Sequence, residues 1–240
     1  MMSSTMPAVT QQWQQYTEEN HRAWTIMYER RMRSLRDTAS ELFLQGAAAI
    51  GLDARAVPDL HDVNRRLASL TGWQAVPVSG FLPAAEFFQS LAVRKFPTTI
   101  TVRPLAKLDY VTEPDIFHDV FGHVPLHADP VFADFLQRFG QVAARARTEE
   151  QTAWMARLFW FSVEFGLIRE QGSIKVYGSG LISSAADGAN ALGDACMHRP
   201  FDLDAVIAQP FEIDRLQDTL FVIDSFRQLF DAVREMERRL

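Results

Sequence analysis

Residues 113–127 read Glu-Pro-Asp-Ile-Phe-His-Asp-Val-Phe-Gly-His-Val-Pro-Leu-His, and three of the chain's six histidines fall inside them, at 118, 123 and 127. The acidic opening, Glu113-Pro114-Asp115, suits the positive end of a helix that starts near Ile116. Gly122 and Pro125 end that helix soon after. His118 and His123 stand five residues apart, which on a regular helix turns them about 140° from each other. They converge only if the helix ends or bends between them. Two readings are open here: a pair of metal ligands, or a helix end with one buried and one exposed histidine. His127, beyond the proline, is the weaker third candidate ligand. Zinc proteases place their histidines four apart with an adjacent glutamate base, and no glutamate flanks either histidine here.

Glu164 sits in Leu-Phe-Trp-Phe-Ser-Val-Glu-Phe-Gly-Leu-Ile, residues 158–168, a run too apolar to bring a carboxylate easily to water. Burying it ionised costs several kcal/mol unless it is paired or bound to a metal. A salt bridge to Arg157 is the structural alternative. With His118 and His123 it would complete the two-histidine, one-carboxylate set of non-haem iron oxygenases, which leaves coordination positions open.

Outward from these two stretches, the patterning is mainly α. Apolar positions predict helices over 13–35, 37–50 (stopped by Gly51), 60–70 after Asp59, 83–94 with Pro83 in its first turn, 132–147, 149–168, and a last one from Phe226 to Leu240. Thr98–Val102 and Ser173–Tyr177 read as short strands. No repeat or composition break divides the chain, so a loose start over 1–12 and a single domain over 13–240 are expected.

Composition narrows the function. The 240 residues carry 24 Lys+Arg against 30 Asp+Glu, a net charge of −6, a poor prior for nucleic acid or anionic membranes. The single cysteine, Cys196, excludes an intrachain disulfide and a multi-cysteine metal site. Eighteen Phe against four Tyr suggest a dry interior and an apolar pocket. The most apolar stretch, 154–168, is interrupted by Arg157, Ser162 and Glu164 and is too short to span a bilayer. A cytoplasmic setting is expected.

Three motifs together carry a resemblance: residues 113–125 above, then Phe-Trp-Phe-Ser-Val-Glu-Phe-Gly-Leu at 159–167, then Ile-Lys-Val-Tyr-Gly-Ser-Gly-Leu-Ile-Ser-Ser at 174–184. In this order and spacing the chain resembles the pterin-dependent aromatic amino acid hydroxylases, and among them the short bacterial members, from about Val76 to Phe230. The resemblance implies a mainly α catalytic domain with a few short β-strands around an iron basin. It implies an Fe(II)- and tetrahydrobiopterin-dependent monooxygenase that converts L-phenylalanine to L-tyrosine with O2. Hydroxylation of tryptophan at its 5-position, or of phenylalanine at another ring position, are the alternatives. A monomer is expected, since the chain leaves no room for the animal enzymes' regulatory domain and tetramerisation helix.

Position by position, the resemblance makes His118, His123 and Glu164 the catalytic iron ligands, with Asp115 an outer carboxylate that orients the first histidine. Arg103 matches the arginine that holds the substrate carboxylate, a two-pronged contact. Ser183 matches a serine near substrate and histidines. Trp160 and Phe165 match walls of the aromatic pocket, with Tyr110 and Pro114 close to them. The pterin site maps onto Gly80, Phe81, Leu82 and Phe87, the last as the stacking aromatic. Asp119 stands where animal enzymes carry glutamate, and Val111 where they carry threonine.

Overall fold

The computed structural model describes residues 9–80, 82–109 and 113–240. Phe81, Tyr110 and Val111 lie outside the described residues, as do residues 1–8 of the expected loose start. Gln11, within that stretch, is tied down. Its amide donates to Pro58 O at 3.0 Å and its carbonyl accepts from Leu60 N at 2.8 Å.

The helix expected from 13 is instead a single 3₁₀ turn, Trp13–Gln15, followed by α1, Glu18–Thr38. Thr17 and Asn20 cap α1 reciprocally, which fixes its start five residues late. The chain then extends at Ala39–Ser40, where Ser40 N donates to Val176 O at 2.8 Å. That interruption delays α2 to Glu41–Ala49, capped by Ser40. α3 runs Leu60–Leu70 behind its Asp59 cap, as the sequence predicts.

β1 (Gln74–Val78), α4 (Ala84–Ala92) and β2 (Lys95–Thr99) form a parallel βαβ unit with Val76 opposite Pro97. Periodicity gives no sign of β1, and β2 lies three residues before the expected strand. β1 ends at Val78, so no partner remains beyond Thr99. The carbonyls of Ile100 and Thr101 are taken instead by the Tyr16 hydroxyl and Ile116 N.

α5 (Pro130–Ala143) and α6 (Glu149–Phe159) follow, and α5 packs on α4. The helix expected to continue to 168 stops at Glu164. Leu167–Glu170 is β3, paired antiparallel with β4, Ser173–Val176, across a Gln171-Gly172 turn in which both φ are positive. α7 (Ser179–Ser183), α8 (Ala185–Ala191), β5 (Met197–Pro200), α9 (Leu203–Ala208), β6 (Thr219–Ile223) and α10 (Phe226–Arg239) complete the order. β6 pairs parallel with both β3 and β5, giving the sheet order β4-β3-β6-β5. No described helix is long and apolar enough to cross a membrane.

Candidate active site

The two segments that carry the candidate ligands are π-helical. Phe117–His123 forms one wide turn and Trp160–Glu164, at the end of α6, another. A π turn bonds residue i to i+5, so side chains five apart share a face. This corrects the expectation that Gly122 and Pro125 end or bend a regular helix. The chain stays helical through a 3₁₀ segment, Val124–Ala128. Gly122 serves packing instead. A Cβ there would lie 3.0 Å from Ser179 O, so its absence lets the turn rest on α7.

The ligand atoms converge. His123 Nε2 lies 3.3 Å from His118 Nε2 and 3.2 Å from Glu164 Oε1, and His118 Nε2 lies 3.7 Å from Glu164 Oε2. The imidazole planes are perpendicular. Three donors about 2.1 Å from one ion and at mutual right angles stand about 3 Å apart, so this set fits a metal on one face and leaves the other open. No other such cluster occurs among the described residues. Arg157 does not pair with Glu164. Its guanidinium donates to Ile207 O.

Helix α7 supports both sides of the triad. Ser179 Oγ donates to Glu164 Oε2 at 2.7 Å. Ser183 Oγ donates to Ser179 O at 2.8 Å and lies 2.9 Å from His118 Nδ1. The hydroxyl proton is thus committed, so Ser183 accepts from Nδ1–H and leaves Nε2 as the free donor atom. Burial alone would push the Glu164 carboxyl up, but His123 and His118 in their protonated forms, with the Ser179 hydroxyl, outweigh it and hold its pKa at about 2. A carboxylate is ready for a cation.

Asp115 corrects the expected orientation of His118. Its Oδ1 accepts the His118 backbone N–H at 3.1 Å, while Ser183 meets the ring. The Asp115 carboxylate faces Arg103, taking Nε on Oδ2 and Nη2 on Oδ1, both at 2.8 Å. Arg103 Nη1 also donates to Leu108 O. Of five guanidinium N–H groups, one on each terminal nitrogen remains.

Arg103, Pro114, His118, His123 and Glu164 all line one cavity of about 630 Å³, with Trp160, Phe165 and Ser183 on the same wall system. That volume suits a pair of small ligands. Gly80, Leu82, Phe87 and Asp119 also line this cavity. Phe87 is held edge-to-face by Phe159 at 5.5 Å and Phe96 at 6.0 Å. A Cβ on Gly80 would meet nothing within 4 Å among the described residues. Asp119 is buried, and its Oδ2 accepts both N–H and O–H of Thr99. Burial pushes its carboxyl up, against His118 and those Thr99 bonds.

Trp160 is the middle ring of a stack, 4.4 Å from Phe211 and 4.6 Å from Phe165. Sequence reasoning missed Phe211, for which no local signal exists, and missed Ser179, which does carry one: it precedes Ser183 by four residues, one helical turn. His127 is not a ligand. It is buried against Trp73 and Phe96, its Nδ1–H donates to His123 O at 3.0 Å, and Nε2 has no partner among the described residues.

Two histidines and one carboxylate lining an apolar cavity in a mainly helical chain fit the mononuclear metal-centre class of protein. This chain belongs to the biopterin-dependent aromatic amino acid hydroxylases, whose family profile matches residues 6–240. It is similar to the phenylalanine-4-hydroxylase of Chromobacterium violaceum, 42% identical over 218 residues, which is 90% of this chain and 73% of that one. The crystal structure of phenylalanine hydroxylase from that organism with iron(III) and 7,8-dihydrobiopterin superposes with a TM-score of 0.92 at 40% identity. It covers 97% of this chain and 86% of that one. The same bacterium's enzyme with iron and phenylalanine bound gives 0.89 at 38% identity, covering 97% and 87%.

Proposed function

We propose that this chain hydroxylates L-phenylalanine at ring position 4 to give L-tyrosine, using Fe(II), a tetrahydrobiopterin-type cofactor and O2. The observation that carries the reading is the convergence of His118, His123 and Glu164 within one cavity that also holds Arg103 and an aromatic wall. Iron and reduced pterin, when bound, supply the activation of dioxygen. The chain does the rest. His118 presents Nε2 because Ser183 holds Nδ1–H, and Glu164 is fixed by Ser179. Arg103, braced by Asp115, offers its remaining N–H pair to the amino acid carboxylate. Trp160 and Phe165, backed by Phe211, place a benzene ring beside the ligands and exclude water. Phe87 offers its face for pterin stacking, with Gly80, Leu82 and Asp119 lining the same cavity.

Residues 13–240 act in this reading as one catalytic domain, in a cytoplasmic monomer with no nucleic-acid or membrane partner, as the acidic net charge suggests. Light scattering tests the monomer. Metal analysis combined with turnover of the three aromatic amino acids, with product identification, tests the function. The expected result is iron-dependent 4-hydroxylation of phenylalanine. Tryptophan as the favoured substrate, or a product hydroxylated elsewhere on the ring, would overturn the assignment. His118→Ala and His123→Ala are expected to lose iron and activity together, and Glu164→Gln to bind iron more weakly. Full iron content in all three would refute the triad.

A further inference from the structure

Arg31 lies on the buried face of α1, and its guanidinium meets no carboxylate among the described residues. Its partners are backbone carbonyls. Nε donates to Ile182 O at 2.8 Å and Nη2 to Leu181 O at 2.9 Å, while Nη1 reaches Ser34 Oγ at 3.2 Å. Burial lowers its pKa to about 10, so the group is a cation at neutral pH. A buried cation with no counter-ion is costly to keep, and here two carbonyl dipoles compensate it.

Those carbonyls belong to the last turn of α7. A helix leaves its final four carbonyls without intrahelical donors, and a five-residue helix has little else. No backbone N–H outside the helix reaches Leu181 O or Ile182 O among the described residues. Gly188 keeps the fork's space open: a Cβ there would stand 2.8 Å from Leu181 O and 3.1 Å from Arg31 Nη2. The same short helix carries Ser179, bonded to Glu164, and Ser183, bonded to His118. One clamp therefore stands behind the hydrogen bonds to two of the three ligands.

We propose that Arg31 is a positioning residue for the metal centre, setting α7 so that Ser179 and Ser183 hold Glu164 and His118 in ligating orientation. This rests on the reading of the triad as a metal site. The test is titration of the metal-free full chain with Co(II), followed by visible absorption, alongside steady-state kinetics of the iron-loaded protein. Loss of an outer hydrogen bond to a metal ligand weakens metal binding about 10- to 100-fold. Folded Arg31→Met is expected to raise the Co(II) Kd about tenfold and lower kcat, with the phenylalanine KM within about twofold of wild type. In a background carrying Ser179→Ala and Ser183→Ala, Arg31→Met is expected to change the Kd little further, because the route it acts through is gone. A purely structural role would give additive losses, or a wild-type Kd in the folded variant, and either overturns the proposal. If Arg31→Met does not fold, Gly188→Ala decides. It keeps the cation and crowds the fork, and a wild-type Kd in that folded variant also overturns the proposal. A wild-type chain that binds neither Co(II) nor iron would instead sink the proposed function. A loaded, active wild type with unmoved variants sinks only the role of Arg31.

Discussion

Arg103 and Asp115 form a buried two-pronged pair, Nε to Oδ2 and Nη2 to Oδ1, both 2.8 Å. Removing one member of a buried pair costs roughly 3–5 kcal/mol, because the other is left uncompensated. Asp115→Ala is therefore expected to lower Tm sharply in calorimetry and to raise the phenylalanine KM by freeing the guanidinium. Arg103→Lys keeps a charge but not the fork. It is expected to raise the phenylalanine KM roughly 10- to 100-fold, the value of one or more charge-assisted hydrogen bonds, with iron content intact. Wild-type kinetics in the lysine variant would refute the substrate role.

Phe87 packs on its aromatic neighbours by edges. Phe87→Ala is expected to raise the pterin KM several-fold, since an aromatic pair contributes on the order of 1 kcal/mol beyond area burial. The phenylalanine KM should move much less. An unchanged pterin KM in the folded variant moves the stacking role to another side chain.

Trp160 is fixed between Phe211 and Phe165, so its indole cannot swing aside for a bicyclic substrate. Ile213, on the same cavity, is 78% exposed and apolar. Phenylalanine is expected to be preferred over tryptophan and tyrosine in kcat/KM, by a modest factor, because pocket volume discriminates by roughly 1–3 kcal/mol per small group. Trp160→Phe should narrow the gap for tryptophan, and Phe211→Ala should do so more weakly by loosening the stack. Competition assays with the three amino acids read both effects, and an unchanged ratio in both variants places the selectivity outside this wall.

Burial and the neighbouring His123 hold the His127 imidazole neutral in the folded chain, with its pKa lowered to about 3 from an ordinary 6.5. The unfolded chain then binds the proton first, so the stability this group contributes is full above about pH 6.5 and drains away as pH falls toward 3. Denaturant titrations of the metal-free protein between pH 7 and 4 should show that slope. His127→Phe should flatten it relative to wild type, and parallel slopes for the two proteins would contradict the assignment.

The candidate ligand set is legible in the sequence because its residue types are rare in apolar surroundings: Glu164 has no cheap reason to sit between Val163 and Phe165. Its geometry is not legible. Five-residue spacing argues against convergence on an α-helix, and only the π turns at 117–123 and 160–164 reverse that argument. The early helix boundaries depart from periodicity where one local bond overrides it, at the Thr17 cap and at Ser40 on β4. β3 is hidden because a short, fully buried strand and a buried helix end share the same apolar run. Sequence does not decide which part of His118 Asp115 meets, because both the ring and the backbone N–H lie within its reach.

The polar contacts that hold α7 join residues far apart along the chain: 65 positions separate His118 from Ser183, and 151 separate Arg31 from Ile182. Contacts of that span form late, after the loops between them have closed. During synthesis, His118 and His123 leave the ribosome well before the helix that orients them exists. A nascent chain therefore offers a cation two loosely held imidazoles and no fixed carboxylate. If Arg31, Ser179 and Ser183 act as proposed, secure metal loading is expected to follow the docking of α7 onto α1, a late step in the maturation of the protein rather than the nucleus of its folding.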